Sequence, residues 1–387
     1  MSPTFRPASP RRTLLMKRYG FPLLLLLIAS LASAESDSET VATDMLTSQP
    51  GVVSVEYLTD GAPHDSCHAS TIAHTPAGFV AAWFGGTREG AKDVGIYFNR
   101  QVDGKWITPV EVANGVQYVS PTGKEHRHPC WNPVLHQAQE GPLMLFYKCG
   151  PTPSTWWGML MTSDDSGVTW SEPQRLPEGI DGPVKNKAIE HDGRLVCPSS
   201  SENHGWRLHL EITSDQGRAW TRVGPLNDGT KIGAIQPSVL VYPNGRWQIL
   251  ARDRNNNGNV WSTWSDDQGI TWTPLVSTGL PNPNSGTDAV MLADGRALLV
   301  YNHTHRSGPF PSGRNMLNVA VSQDGRTWEA ALVLEKSAGE FSYPAVIQTP
   351  DGLVHITYTW RRKKIRHVTV DPTKLTAKPI VDGAWPQ

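Results

Sequence analysis

Charged residues make up only 18% of this 387-residue chain, and those suited to catalysis or ligand binding gather in short clusters. His64 and His68 form one, and His126, His128 and Asn132 a second. Lys185 and Lys187 form a third, while Gln236, Asp288 and Tyr343 stand singly further on. Between them lie Arg88, Glu89 and Asp93, Tyr147 and Lys148, Glu202, Arg252 to Arg254, Tyr301 with His303, and Trp360 to Arg362. Guanidinium and ammonium groups suit an anionic ligand, carboxylates suit proton transfer, and aromatic rings suit sugar faces. His68 and His126 offer acid–base groups near neutral pH. No cluster has diagnostic metal-ligand spacing and no nucleotide-binding glycine loop occurs, so no metal or cofactor is expected.

The elements that must position these residues are strands. With 35 Gly and 31 Pro the chain is turn-dense, and both residues break helix interiors. A turn motif repeats: S-D-D-S-G-V-T-W ends at Trp170, T-S-D-Q-G-R-A-W at Trp220, S-D-D-Q-G-I-T-W at Trp272, and the shorter S-Q-D-G-R-T-W at Trp328. In each, Asp accepts backbone N–H bonds, Gly takes positive φ, and Trp packs into the sheet. Hairpin turns centred on Gly78, Gly141, Gly193, Gly245, Gly295 and Gly352 recur every 50–63 residues between apolar runs. Six hairpins, each followed by two further strands, predict an all-β fold: a six-bladed β-propeller over residues 52–387. Blade 6 lacks an outer strand, and Val52–Leu58 is expected to supply it and close the ring.

In such a ring the inner strand starts and the second strand ends share one face, where the polar clusters converge. The Asp/Trp turns lie on the opposite face, so their carboxylates are expected to be structural.

Residues 1–34 carry five basic side chains, no acidic one, an apolar run from Phe21 to Leu31, and a terminal Ala32-Ser33-Ala34. This pattern reads as a signal peptide, followed by a flexible segment over 35–51. The apolar run is short for a membrane span, so a periplasmic or secreted protein is expected, with no membrane span once the signal is cleaved. Removing it leaves 30 basic and 36 acidic residues, a balance unlike that of a nucleic-acid binder. An oxidising compartment permits disulfides, and Cys130 with Cys149 is the preferred pair.

The repeated S-x-D-x-G-x-T-W turns resemble those of the sialidase (neuraminidase) superfamily, with its BNR/Asp-box propellers. The resemblance implies a glycan substrate ending in an acidic sugar. It implies that Arg252, in I-L-A-R, and Arg314, in S-G-R-N, clamp the sugar carboxylate, because a planar guanidinium matches a carboxylate bidentately. It makes Tyr343, in Phe341-Ser342-Tyr343-Pro344, the nucleophile, an exception among glycosidases. Glu89 or Asp93 would donate the proton. Asn132, Arg88, Lys148, Lys187, Asp288 and Tyr301 complete the expected binding set.

Two departures stand out. Where the family opens blade 1 with an Arg, this chain has His68-Ala69-Ser70. Where the family places the Glu that takes the Tyr proton, it has Gln236, and an amide cannot be that base. An exported exo-glycosidase acting on sialic acid or a related sugar is therefore the leading expectation. A uronic-acid-directed lyase or glycosidase using His68 or His126, and a non-catalytic glycan-binding propeller, are the alternatives.

Overall fold

The computed structural model describes residues 43–255 and 258–386. The expected signal segment lies outside the described residues. The expected flexible segment ends in ordered chain: Leu46 is buried in an apolar cluster, and Gln49 bonds to the backbone of Val333 through both side-chain atoms.

Six antiparallel sheets form the ring. Blade 1 contains Ser66–Thr75, Gly78–Gly86, Gly95–Val102 and Val110–Ala113. Blade 2 contains Cys130–Gln137, Leu143–Cys149, Trp157–Ser163 and Gln174–Arg175, and blade 3 Ile189–His191, Arg194–Ser201, Arg207–Thr213 and Thr221–Val223. Blade 4 contains Ala234–Val241, Trp247–Asp253, Gly258–Ser265 and Val276–Asn282, and blade 5 Asp288–Met291, Ala297–Tyr301, Met316–Ser322 and Glu329–Lys336. Blade 6 has Phe341–Gln348, Val354–Trp360 and Lys364–Val370, and Val52–Tyr57 pairs with the last of these as the outer strand. The ring thus closes with a strand from each end of the chain, as the count of strands requires.

Because each blade is buried on both faces, its apolar residues pack into the seams between neighbours. The described residues form six apolar clusters. The seam between blades 4 and 5, for example, holds Leu250, Val260, Leu299 and Tyr301. A fully buried side chain of this size contributes about 1.5–3 kcal/mol, so the seams carry the fold. The Asp/Trp turns tie them together. Asp267 accepts from Thr271 N at 2.8 Å and Ser265 Oγ at 2.8 Å, while Ser265 Oγ accepts from Gly269 N at 2.9 Å. The turn tryptophans reach into the preceding blade: Trp170 meets Phe98 edge-on, and Trp220 meets Phe146.

The ring axis is filled by polar side chains. Lys187 Nζ donates to both Asp288 oxygens at 3.0 Å and to Ala289 O. Asp288 also accepts from Ser238 Oγ at 2.8 Å and Val346 N at 2.9 Å, so one carboxylate joins blades 4, 5 and 6 to the inner segment of blade 3. Lys185 donates to Asn186 Oδ1, Thr287 O and Pro344 O. Both lysines thus find acceptors, as burial demands.

Candidate active site

At the upper end of four inner strands the ladder slips by a β-bulge, and a non-glycine residue turns left-handed there. These are Ala69 (φ 54°), Asn132 (36°), Gln236 (54°) and Tyr343 (53°). Pro133, Pro237 and Pro344 follow three of them. A bulge strands one backbone N–H without a ladder partner, and proline has none to strand. Each left-handed residue costs about 1–3 kcal/mol, a strain that concentrates where side chains must be aimed.

Tyr343 is the centre of the site. Its hydroxyl accepts from Arg252 Nη1 at 2.5 Å and lies 3.5 Å from Gln236 Nε2. The same Arg252 nitrogen donates to Gln236 Oε1 at 2.9 Å, and the rest of its fork goes to Asn284 Oδ1 at 2.6 and 2.9 Å. The guanidinium carbons of Arg252 and Arg314 each lie 5.4 Å from the centre of the Tyr343 ring, with Lys185 Nζ at 5.9 Å. Gly286 makes room for this: a Cβ there would stand 3.2 Å from both Lys185 and Tyr343. Burial lowers the Lys185 pKa to about 7 despite the nearby Asp288.

A second tier of charge surrounds the first. Glu340 pairs with Arg314 at 2.8 Å and with Arg362 at 3.0 Å, and Arg362 also pairs with Glu89 at 2.5 Å. Burial pushes Glu340 up, but Arg314 and Arg362 outweigh it and hold the carboxyl at about 2. Arg362 therefore brings a third guanidinium to the mouth from blade 6, where the blade 1 arginine of the sialidase pattern is missing. The Glu202 carboxyl is pushed above the usual range by burial and by Glu89, against Arg252, Trp206 and Arg254. Arg362 and Glu202 both stand among the polar clusters expected at the mouth, but without an assigned role. The signal for Arg362 was its place at a second-strand end, shared with Arg252.

His68 packs at a tilt against Tyr343 with ring centres 4.1 Å apart, and its Nδ1 lies 2.8 Å from Thr359 Oγ1. It is 1% exposed. Burial, then Arg362, Arg314, Arg252 and Lys185, drive its pKa well below the ordinary value, so the ring is neutral packing beneath Tyr343. His126 stacks on Tyr118 in a separate exposed hairpin. The two histidines offered for the alternative lyase or glycosidase reading therefore lie apart, one packed beneath Tyr343 and the other in the hairpin.

The expected binding set divides. Arg252, Arg314, Gln236 and Tyr343 come together, Glu89 reaches them through Arg362, and Asn132 occupies the matching bulge of blade 2. Arg88 is exposed on the rim beside Glu89. Lys148 is not in the mouth: it is fully buried, donates to Pro183 O at 2.9 Å, and burial lowers its pKa to about 8. Tyr301 is likewise buried, in the seam of blades 4 and 5, bonded to His303 Nδ1. Lys187 and Asp288 are spent on each other in the axis. Asp93 braces its own loop, accepting from Thr87 N at 2.8 Å and Thr87 Oγ1 at 2.5 Å, which lowers its pKa and makes it a poor acid. The cysteines are thiols, with Cys130 and Cys149 side by side.

Among the described residues no group of His, Cys, Asp or Glu is placed to hold a metal ion, and no helix is long and apolar enough to cross a membrane.

A six-bladed ring with Asp-box turns and an arginine-flanked tyrosine at its mouth defines a sialidase-like propeller. The chain belongs to the BNR repeat-like domain family, whose pattern matches residues 78–356. No curated protein matches the chain. Among solved structures it is similar to the Hadza microbial sialidase Hz136, at 18% identity and TM-score 0.66, over 80% of this chain and 66% of that one. The intramolecular trans-sialidase from Ruminococcus gnavus, in complex with oseltamivir carboxylate, aligns at 16% identity and TM-score 0.65, over 85% and 99%. The Penicillium chrysogenum α-L-arabinanase, complexed with arabinobiose, aligns at 17% and 0.58, over 84% and 100%. At these identities the likeness is one of fold.

Proposed function

We propose that the protein is an exported exo-glycosidase that removes a terminal acidic sugar, sialic acid or a relative, from a glycan. The carrying observation is the bond from Arg252 to the Tyr343 hydroxyl, with Gln236 as second donor. Two donors facing one oxygen stabilise negative charge on it, which helps a phenol attack without an adjacent carboxylate base. Arg314 and Arg362 then receive the sugar carboxylate, displacing Glu340 and Glu89 from part of their pairing. Tyr343, its phenol proton passing to solvent water, attacks the anomeric carbon as the bond from that carbon to the leaving oxygen breaks, and Glu202, whose pKa burial raises, gives its proton to the leaving oxygen. Water hydrolyses the resulting Tyr-linked sugar. Glu89, nearer Arg362, is the alternative acid. Export rests on residues 1–34.

The test is a product screen by mass against sialosides and uronate-containing glycans, with Tyr343→Phe as the control. Release of an intact terminal acidic sugar, lost in Tyr343→Phe, supports the reading. An unsaturated uronate product, or activity untouched by Tyr343→Phe, excludes it. Gln236 favours one second reading, a propeller that binds glycans without turnover. Binding with no product from any substrate would select it.

A further inference from the structure

A cavity of about 680 Å³ opens between blades 2 and 3, outside the Tyr343 site. Two tryptophans, Trp156 and Trp157, line it, with Arg175, Arg207 and Arg222 facing two carboxyls, Glu178 and Asp181. Arg175 lies over the Trp157 ring at 4.7 Å, which fixes both as a cation-capped platform. Arg222 is held by His209 Nδ1 at 3.1 Å, and His209 in turn by the buried Glu211 at 2.9 Å. Three guanidiniums against two carboxyls leave the cavity with an excess of positive charge.

The cavity shares a wall with the mouth. Ser201, Asn203 and His204 line it, while Glu202 between them is in electrostatic reach of Arg252 and Glu89. Just beyond, the Trp206 ring lies 5.1 Å from the Arg252 guanidinium. On the blade 2 side Trp156 meets Trp131 edge-on, and the loop bearing Glu89 rests on Trp131 through Gly90. A glycan end bound at Tyr343 would thus have its next residue directed here.

Resting on the proposed function, we infer that the blade 2–3 cavity binds the penultimate sugar of the substrate, and that this sugar also carries a carboxylate. Tryptophan faces receive the apolar side of a pyranose, and guanidiniums receive its carboxylate.

The test uses Tyr343→Phe protein, so that binding is read without turnover, by calorimetry. The probes are sialic acid with its α2,8-linked dimer, and galacturonic acid with its α1,4-linked dimer. In one series the dimer is expected to bind at least ~10-fold tighter than the monomer, a difference of about 1.4 kcal/mol. Arg175→Gln and Trp157→Phe should each erase most of that preference and leave monomer affinity unchanged. Both substitutions are at half-exposed or exposed positions, and circular dichroism reports their folding. Equal affinity for monomer and dimer in both series overturns the cavity assignment while leaving the mouth intact. Variants that weaken monomer and dimer alike overturn it as well. Absence of any binding overturns the cavity and the proposed function together, and monomer binding alone separates the two.

Discussion

Arg252, at the end of the second strand of blade 4, donates to the hydroxyl of Tyr343 in blade 6 at 2.5 Å. The two are 91 residues apart in sequence, and each is locked from behind, Arg252 by Asn284 and Tyr343 by its bulge. A donor fixed this firmly does not reorganise when charge develops on the oxygen.

Gln236→Glu places a carboxylate beside that hydroxyl and the same guanidinium. If Tyr343 is the nucleophile, kcat on an acidic glycoside should rise by ~10²-fold, the low end of what a positioned base supplies. Steady-state kinetics on the purified variant checks this. An unchanged kcat would remove Tyr343 from the chemical step.

Glu202 should set the alkaline limb of the pH–rate profile. Burial raises its pKa, so the protonated acid persists to a higher pH than an ordinary Glu, and activity falls as pH climbs through that raised value. Glu202→Gln should abolish the limb and lower kcat by ~10²–10⁴-fold, with less effect on a substrate whose leaving group needs no proton. A limb retained in Glu202→Gln and lost in Glu89→Gln would transfer the role to Glu89.

Two carboxyls should move stability with pH in opposite directions. Glu340 is held at about 2 by its arginines, so its contribution is present above the unfolded value and is lost as pH falls toward 2. Asp181 is raised to about 6, so the folded state pays for its charge above that pH and is relieved below about 4. Glu340→Gln should therefore cost about 1–2 kcal/mol at pH 7, and Asp181→Asn should gain a similar amount. Both differences should shrink near pH 3 in chemical denaturation.

Cys130 and Cys149 stand opposite each other in blade 2, and Gly150 N bonds to Pro129 O in the neighbouring pair. That makes the cysteines a non-hydrogen-bonded pair, where Cα atoms come to about 4.5 Å, within disulfide range. Protein matured in an oxidising compartment should show two free thiols in denaturant, rather than the four of SH-state protein. Four free thiols in exported protein would count against closure of the pair.

The ring was legible because its markers are local. Asp, Gly and Trp in one turn, repeated at blade spacing, need no knowledge of distant contacts, and the orphan strand at Val52 followed from counting. The mouth was legible only where a residue's place decides its direction, as at the bulges of Gln236 and Tyr343. Lys148 shows the limit. Lying at the end of a second strand, like Arg252, it points into a seam, because successive strand residues face opposite ways. Arg362 was placed at the mouth by its strand end, but its role was not legible, because it serves there from blade 6 while the resemblance looks for that arginine in blade 1.

The Lys187–Asp288 bond and the carbonyl-held Lys185 have a consequence for traffic. They stopper the centre of the ring, so the mouth is a blind well with one opening. A polymer would not thread through it, and under the proposed function a cleaved sugar would leave by the opening it entered. Under the proposed function, such a well would accept chain ends rather than chain interiors, and the severed end would leave past Arg314 and Arg362.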